Sequence, residues 1–179
     1  MKVLCIGDSN TYGFDPRSYI GARYPEDIRW TALLSDHDMI NFGINGITIP
    51  EDHSVYVGLI RRKDPDKVIV MLGTNDILEG ASAEKTARRM ESFLTSICEA
   101  GKPVLLIAPP PLQDGEFVES EQMIQESEKL SGLYCEVADR KGCLFADAGK
   151  WGIELTFDGV DFSPAGHEVF ARELEKLLK

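Results

Sequence analysis

Five short apolar runs alternate along this chain with longer stretches in which apolar residues recur every three or four positions. The runs at 2–6, 39–42, 67–72, 104–108 and 143–146 are rich in Val, Ile, Leu and Phe, which predicts buried strands. Between them lie helical patterns. Ala83, Ala87, Met90, Leu94 and Ile97 share a face within 83–99, with Glu84, Lys85, Arg88 and Arg89 outside it, and Gly101 ends the pattern. Met123, Leu130, Leu133 and Val137 line another face, opposite the acidic Glu119, Glu121, Glu126 and Glu128. Shorter helices are expected at 29–35 and at 53–62, the latter closed by Arg61, Arg62 and Lys63. Ser163 and Pro164 start a closing helix with Val169, Phe170, Leu174, Leu177 and Leu178 inside. Strands and helices that alternate in this way make an α/β domain, a parallel sheet with helices on both faces.

Two connections are too rich in Gly, Pro and aromatic residues to be idle. Residues 10–30 carry Gly13, Pro16, Gly21 and Pro25 among Tyr12, Phe14, Tyr19, Tyr24 and Trp30, and are read as one wall of a substrate site. Pro109-Pro110-Pro111 forces an extended exit from the fourth strand, and the loop to about 119 is a candidate second wall or lid. Trp151, on the loop after the fifth strand, is either a packing anchor or a pocket lining.

The 179 residues make one domain, 1–179, without linker, repeat or low-complexity segment. A hydrophobic fraction of 43% argues against disorder, and a net charge of -11 argues against nucleic acid or an anionic membrane as partner. An uncharged or cationic small molecule fits better. Met1-Lys2-Val3 leads straight into the first strand, which leaves no room for a leader and sets the expectation of a cytoplasmic protein. Cys5, Cys98, Cys135 and Cys143 form no C-x-x-C and are expected to be reduced, largely buried thiols. His37, His53 and His167 form no H-x-x-x-H pair, so no metal is expected.

The chemistry collects where strands end. Gly7-Asp8-Ser9 follows the first strand, Gly43-Ile44-Asn45-Gly46 the second and Gly73-Thr74-Asn75-Asp76 the third. Each alone is ordinary turn composition, and Asn75 alone is most often a local Asx bond. Three in series, at the sheet edge where open α/β folds bind ligands, point to a site.

These blocks, with the late Asp158-Gly159-Val160-Asp161-Phe162-Ser163-Pro164, resemble blocks I, II, III and V of the SGNH (GDSL) hydrolases over nearly the whole chain. Gly7 to Pro16 and Arg23 to Trp30 are similar to the small, single-domain esterase and acyltransferase branch. The resemblance implies a three-layer flavodoxin-like fold with strand order 2-1-3-4-5. It also implies Ser9 as nucleophile, and an oxyanion hole made by the N–H groups of Ser9 and Gly46 and the amide of Asn75. Such donors are worth roughly 3 to 4 kcal/mol each in the transition state. Tyr12, Phe14, Trp30 and Trp151 are the candidate pocket residues.

One block departs from the family. The family closes its triad with Asp-x-x-His, whereas here Asp158 is followed three residues later by Asp161. A carboxylate is shorter than an imidazole by about two bonds, so contact with Ser9 is either direct or through a bridging water. Repulsion from Asp158 would raise the pKa of one of the pair. His167 is the nearest histidine in sequence, read as a helix-face or capping residue with an alternative base role left open. The expectation is therefore a serine carboxyl-ester hydrolase or acyltransferase, impaired or using a substitute base, that takes a small or aromatic ester and needs no cofactor. The alternative is an SGNH-fold binding protein that has lost turnover. A flavin-binding or receiver domain shares the architecture, but no phosphate-cradling loop follows the first strand.

Overall fold

The computed structural model describes residues 1–18 and 20–179; Tyr19, one of the expected wall aromatics, lies outside the described residues. Its centre is a five-stranded sheet of β1 (Lys2–Gly7), β2 (Asp38–Gly43), β3 (Lys67–Met71), β4 (Val104–Ala108) and β5 (Leu144–Asp147). All pairings are parallel and the order is β2-β1-β3-β4-β5. This is the expected order.

Parallel strands bury both faces, which explains why their sequences read as unbroken apolar runs. Leu4, Ile6, Val68, Val70, Val104 and Leu106 face one layer, made of α3 (Ser54–Lys63), α5 (Ala83–Cys98) and α6 (Glu121–Lys141). Val3, Cys5, Ile69, Met71, Leu105 and Ile107 face the other, made of α2 (Trp30–Leu33) and α7 (Pro164–Leu178). The three long helices start on serines. Ser82, Ser120 and Ser163 accept from the backbone N–H of Lys85, Met123 and Gly166, caps worth about 1 kcal/mol each.

Two one-turn helices were not legible as helices: α1 (Ser9–Tyr12) and α4 (Thr74–Leu78). Both follow strands directly, too short to show a period. Asp8 caps α1 by accepting from Asn10 N, and Gly13 closes it in a left-handed conformation, so the connection from residue 10 begins as helix. A Cβ on Gly43 would sit 2.1 Å from Tyr12 N, so glycine there lets α1 pack directly on the end of β2. The Asn41 amide fastens this corner, donating to Thr11 O at 2.6 Å and Thr31 Oγ1 at 3.0 Å.

Among the described residues no helix is long and apolar enough to cross a membrane. Of the cysteines, only Cys5 is buried; Cys98, Cys135 and Cys143 are half-buried, which corrects the expectation of four largely buried thiols. Cys98 ends α5, Cys143 immediately precedes β5, and Cys135 lies within α6.

Candidate active site

Ser9 opens α1 just beyond the carboxyl end of β1, 9% exposed. Its neighbour Asn10 is buried and reaches across the sheet edge to the last block. Asn10 Nδ2 donates to Val160 O at 3.1 Å, and Asn10 Oδ1 accepts from Phe162 N at 2.7 Å. The two bonds flank Asp161 and set its position relative to Ser9. Asn10 O also accepts from Trp30 Nε1 at 2.9 Å.

The second and third strand ends are tied together in the same way. Gly46 takes φ +70 in the turn after β2, a conformation that glycine adopts without strain. Asn75 Nδ2 donates to Ile47 O at 3.0 Å, and buried Asp76 accepts from Ile49 N at 2.9 Å and Arg89 Nη1 at 2.6 Å. Adjacent residues of α4 thus hold the Gly46 turn. Asn75 makes a long-range bond here, and its second amide N–H remains for a ligand. Burial raises the Asp76 pKa against these partners.

Asp158 and Asp161 come from the segment that precedes α7, both fully buried at 0% and 3% exposure. Asp158 Oδ1 accepts from Val160 N at 2.8 Å and Asp161 N at 2.9 Å, so the first carboxylate shapes the turn that presents the second. Asp158 Oδ2 and Asp161 Oδ1 are buried without a hydrogen-bond partner. Burial pushes the Asp161 pKa up to about 8; the nearby Ser9 hydroxyl draws it down, and Asp158 raises it further. Asp161 is therefore mostly protonated at neutral pH. Burial also raises Asp8 to about 7, although its Oδ1 accepts from Asn10 N.

Ser9, Gly46, Asn75 and Asp161 all line one cavity of about 200 Å³, together with Phe14, Asn45, Leu78, Phe117 and Val160. A side-chain hydroxyl, two candidate oxyanion donors and a carboxyl group share a small, largely apolar space. Residues 5–169 match the GDSL-like lipase/acylhydrolase family. The chain belongs to this family.

Solved structures of similar fold include the aryl esterase of M. smegmatis (TM-score 0.84, 26% identity, covering 99% of this chain and 97% of that one). A putative arylesterase from Agrobacterium tumefaciens is similar at TM-score 0.84 and 29% identity, over 99% and 97% of the two chains. Est24, a carbohydrate acetylesterase from Sinorhizobium meliloti, is similar at TM-score 0.80 and 26% identity, over 98% and 99%. Among curated relatives, thioesterase 1/protease 1/lysophospholipase L1 of Escherichia coli is 27% identical over 110 residues, 59% of this chain and 49% of that protein. The uncharacterized lipoprotein YqeF of Bacillus subtilis is 30% identical over 120 residues, 62% and 49%. The chain spans about half the length of the curated relatives it matches.

The aromatic connection after the first strand contributes less to this cavity than its composition led us to expect. Phe14 lines it, but Trp30 does not: it is 1% exposed and stacks on Phe170 of α7 with ring centroids 4.8 Å apart. Its indole fits the layer between α2 and α7 and finds its polar partner in Asn10 O. Trp151 lies 5.1 Å from the same Phe170 ring and is a packing anchor. Tyr12 is half-buried beneath the Arg23 guanidinium, 4.4 Å from its ring centre, outside the lining. Tyr24 is buried edge-on against His167 at 5.4 Å.

His167 is spent on packing too. It is 1% exposed, held between Tyr24 and Phe162, with Nδ1 accepting from Trp30 N at 3.4 Å. Burial, with Arg29 nearby, lowers its pKa to about 4, leaving it neutral and weakly basic. It does not line the cavity.

The proline-led loop does form a wall. Phe117 N donates to Asp158 O at 3.0 Å and Gln113 N to Gly159 O at 3.0 Å, which pins Phe117 at the cavity mouth. Phe117, Leu78 and Val160 were missed as lining residues; the signal for Phe117 was a lone aromatic in the Pro- and Gly-containing loop after the fourth strand. Asn10 and Asp76 were missed as supports. Buried polar side chains beside candidate catalytic positions were the available signal. Among the described residues no group of three or more His, Cys, Asp or Glu side chains is disposed to hold a metal ion.

Proposed function

We propose that this chain is a serine carboxyl-ester hydrolase for small acyl or aryl esters, in which a pair of carboxyl groups replaces imidazole and carboxylate. The observation that carries the reading is the convergence of Ser9, Gly46, Asn75 and Asp161 on one cavity of about 200 Å³. That volume suits a short acyl group or a single ring, and Phe14, Leu78, Phe117 and Val160 give it apolar sides. The likeness to aryl and carbohydrate acetyl esterases supports the same substrate class.

In this mechanism ionised Asp161 takes the Ser9 proton as Ser9 Oγ attacks the ester carbonyl carbon. The N–H groups of Ser9, Gly46 and Asn75 hold the oxyanion. The Asp161 carboxylic acid then returns the proton to the leaving alkoxide, and Asp158 stabilises the protonated form of its neighbour. Water, activated by Asp161, hydrolyses the acyl-Ser9 ester; an alcohol in its place would make the reaction a transfer. With a pKa of about 8, only a minor fraction of Asp161 is ionised at neutral pH, so turnover is slow there. That same protonation favours the second reading, a binding protein that retains the pocket.

Hydrolysis of p-nitrophenyl acetate by the native chain, Ser9→Ala and Asp161→His decides between them. The hydrolase reading expects native activity that Ser9→Ala removes and Asp161→His increases. Three folded proteins at background rate would refute it and leave the binding role.

A further inference from the structure

At the edge of the sheet opposite the site, Cys98 ends α5 and Cys143 precedes β5, so the fold brings together two thiols 45 residues apart. Their Sγ atoms are 3.5 Å apart, and both residues are half-buried where they pack against the core beneath α5 and α6. A disulfide needs its sulfurs about 2.05 Å apart, and rotation about each Cα–Cβ bond moves the two Sγ atoms toward one another from this starting distance. We propose that Cys98 and Cys143 are a peroxide-reactive dithiol that closes to a disulfide, linking the end of α5 to the start of β5.

The environment favours Cys98 as the attacking sulfur. The hydrogen bond from the Cys143 thiol and the Lys141 ammonium outweigh burial and bring the Cys98 pKa down to about 7, while Cys143 is pushed up and keeps its proton. Lys141 Nζ is itself 3.6 Å from Glu91 Oε1, on the same face of α5 and α6. A thiolate present at neutral pH and partly exposed is the reactive form of cysteine.

The reaction balances with hydrogen peroxide as oxidant. Cys98 thiolate attacks one peroxide oxygen, forming an S–O bond as the O–O bond breaks and hydroxide leaves. The resulting sulfenic acid is attacked at sulfur by Cys143, which forms the S–S bond, breaks the S–O bond and releases water. Two thiols are oxidised by two electrons and one peroxide is reduced to two waters.

The test treats the reduced, full chain with one equivalent of hydrogen peroxide, alkylates the remaining thiols and maps the peptides. The expected product is an intramolecular link between the Cys98 and Cys143 peptides, with Cys135 alkylated as in the untreated chain. Cys143→Ser should instead accumulate a sulfenic acid on Cys98 that dimedone traps. In Cys98→Ser, the remaining thiols should react on the order of tenfold more slowly than Cys98 does in the native chain. Recovery of both native peptides alkylated, or oxidation of Cys135 as fast as Cys98, overturns the proposal. Mapping of the native chain decides the question even where a variant fails to fold.

Discussion

Asp161 lines the cavity with Ser9, and its chemistry follows from its surroundings. A carboxyl group with a pKa of about 8, raised by burial and by Asp158, is a base only at alkaline pH. The Ser9-dependent rate of ester cleavage should therefore climb as pH passes through about 8. Asp161→His should move that climb toward the ordinary histidine range and raise kcat at neutral pH by about 100-fold, since a matched general base contributes that much or more. A profile flat from neutral to alkaline pH would exclude Asp161 as the base. Asn10 acts at the same scale through position alone. Removing the amide that holds Val160 O and Phe162 N frees the segment bearing Asp161, so Asn10→Ala should lower kcat roughly 10- to 100-fold with little change in KM. Steady-state kinetics on p-nitrophenyl acetate separate the two terms.

Elements decide what the cavity can hold. The loop bearing Phe117 is pinned to the segment bearing Asp158 by backbone hydrogen bonds, so the aromatic is presented by a fixed wall. Phe117→Ala removes one side of the cavity and should raise KM for an aryl ester about fivefold, the equivalent of about 1 kcal/mol of contact, with kcat little changed. An unaltered KM would place the acyl or aryl group elsewhere. On the opposite side, α4 holds the Gly46 turn through Asn75 and Asp76. Asp76→Ala leaves Ile49 N without its acceptor and Arg89 without its closest carboxylate, and should cost about 2 kcal/mol in urea unfolding. Both supports were invisible in sequence as supports. Asp76 stood in plain sight in Gly73-Thr74-Asn75-Asp76, but its partners lie 27 and 13 residues away.

The whole molecule carries several buried ionisable groups, and their shifts set how stability depends on pH. Asp8 and Asp161 have folded pKa values raised to about 7 and about 8 from 3.8, so the native state holds protons that the unfolded chain has released. Their contribution to stability is full below the unfolded pKa and is lost as pH rises through the folded values. His167, lowered to about 4 from 6.5, works in the opposite sense and only below about 6.5. Between pH 6.5 and 8 the two acids act without that offset, opposed above about 7 by the Cys98 thiol, which is lowered to about 7 from 9.0. Unfolding free energy should fall across this window, and Asp161→Asn, which cannot ionise, should flatten the fall. Urea titrations of both proteins at the two ends measure it; equal slopes would show that Asp161 titrates alike in the folded and unfolded chains.

Local pattern alone determined much of this protein. Apolar runs of four to six residues and faces repeating every three to four located every strand and all the longer helices, because side-chain direction follows backbone period. Gly7-Asp8-Ser9, Gly46 and Gly73-Thr74-Asn75-Asp76 marked the site because strand ends in a parallel sheet share one edge. Tertiary structure decided which of the aromatic residues reach that edge. Tyr12, Phe14, Tyr24 and Trp30 share one connection and one composition, yet of these only Phe14 lines the cavity, since Trp30 packs on Phe170, Tyr24 on His167 and Tyr12 under Arg23. It also brought Asp161 to Ser9 through Asn10, and Cys98 to Cys143. These contacts join residues 45 to 152 positions apart. No local period encodes such a separation; packing of the layers creates it.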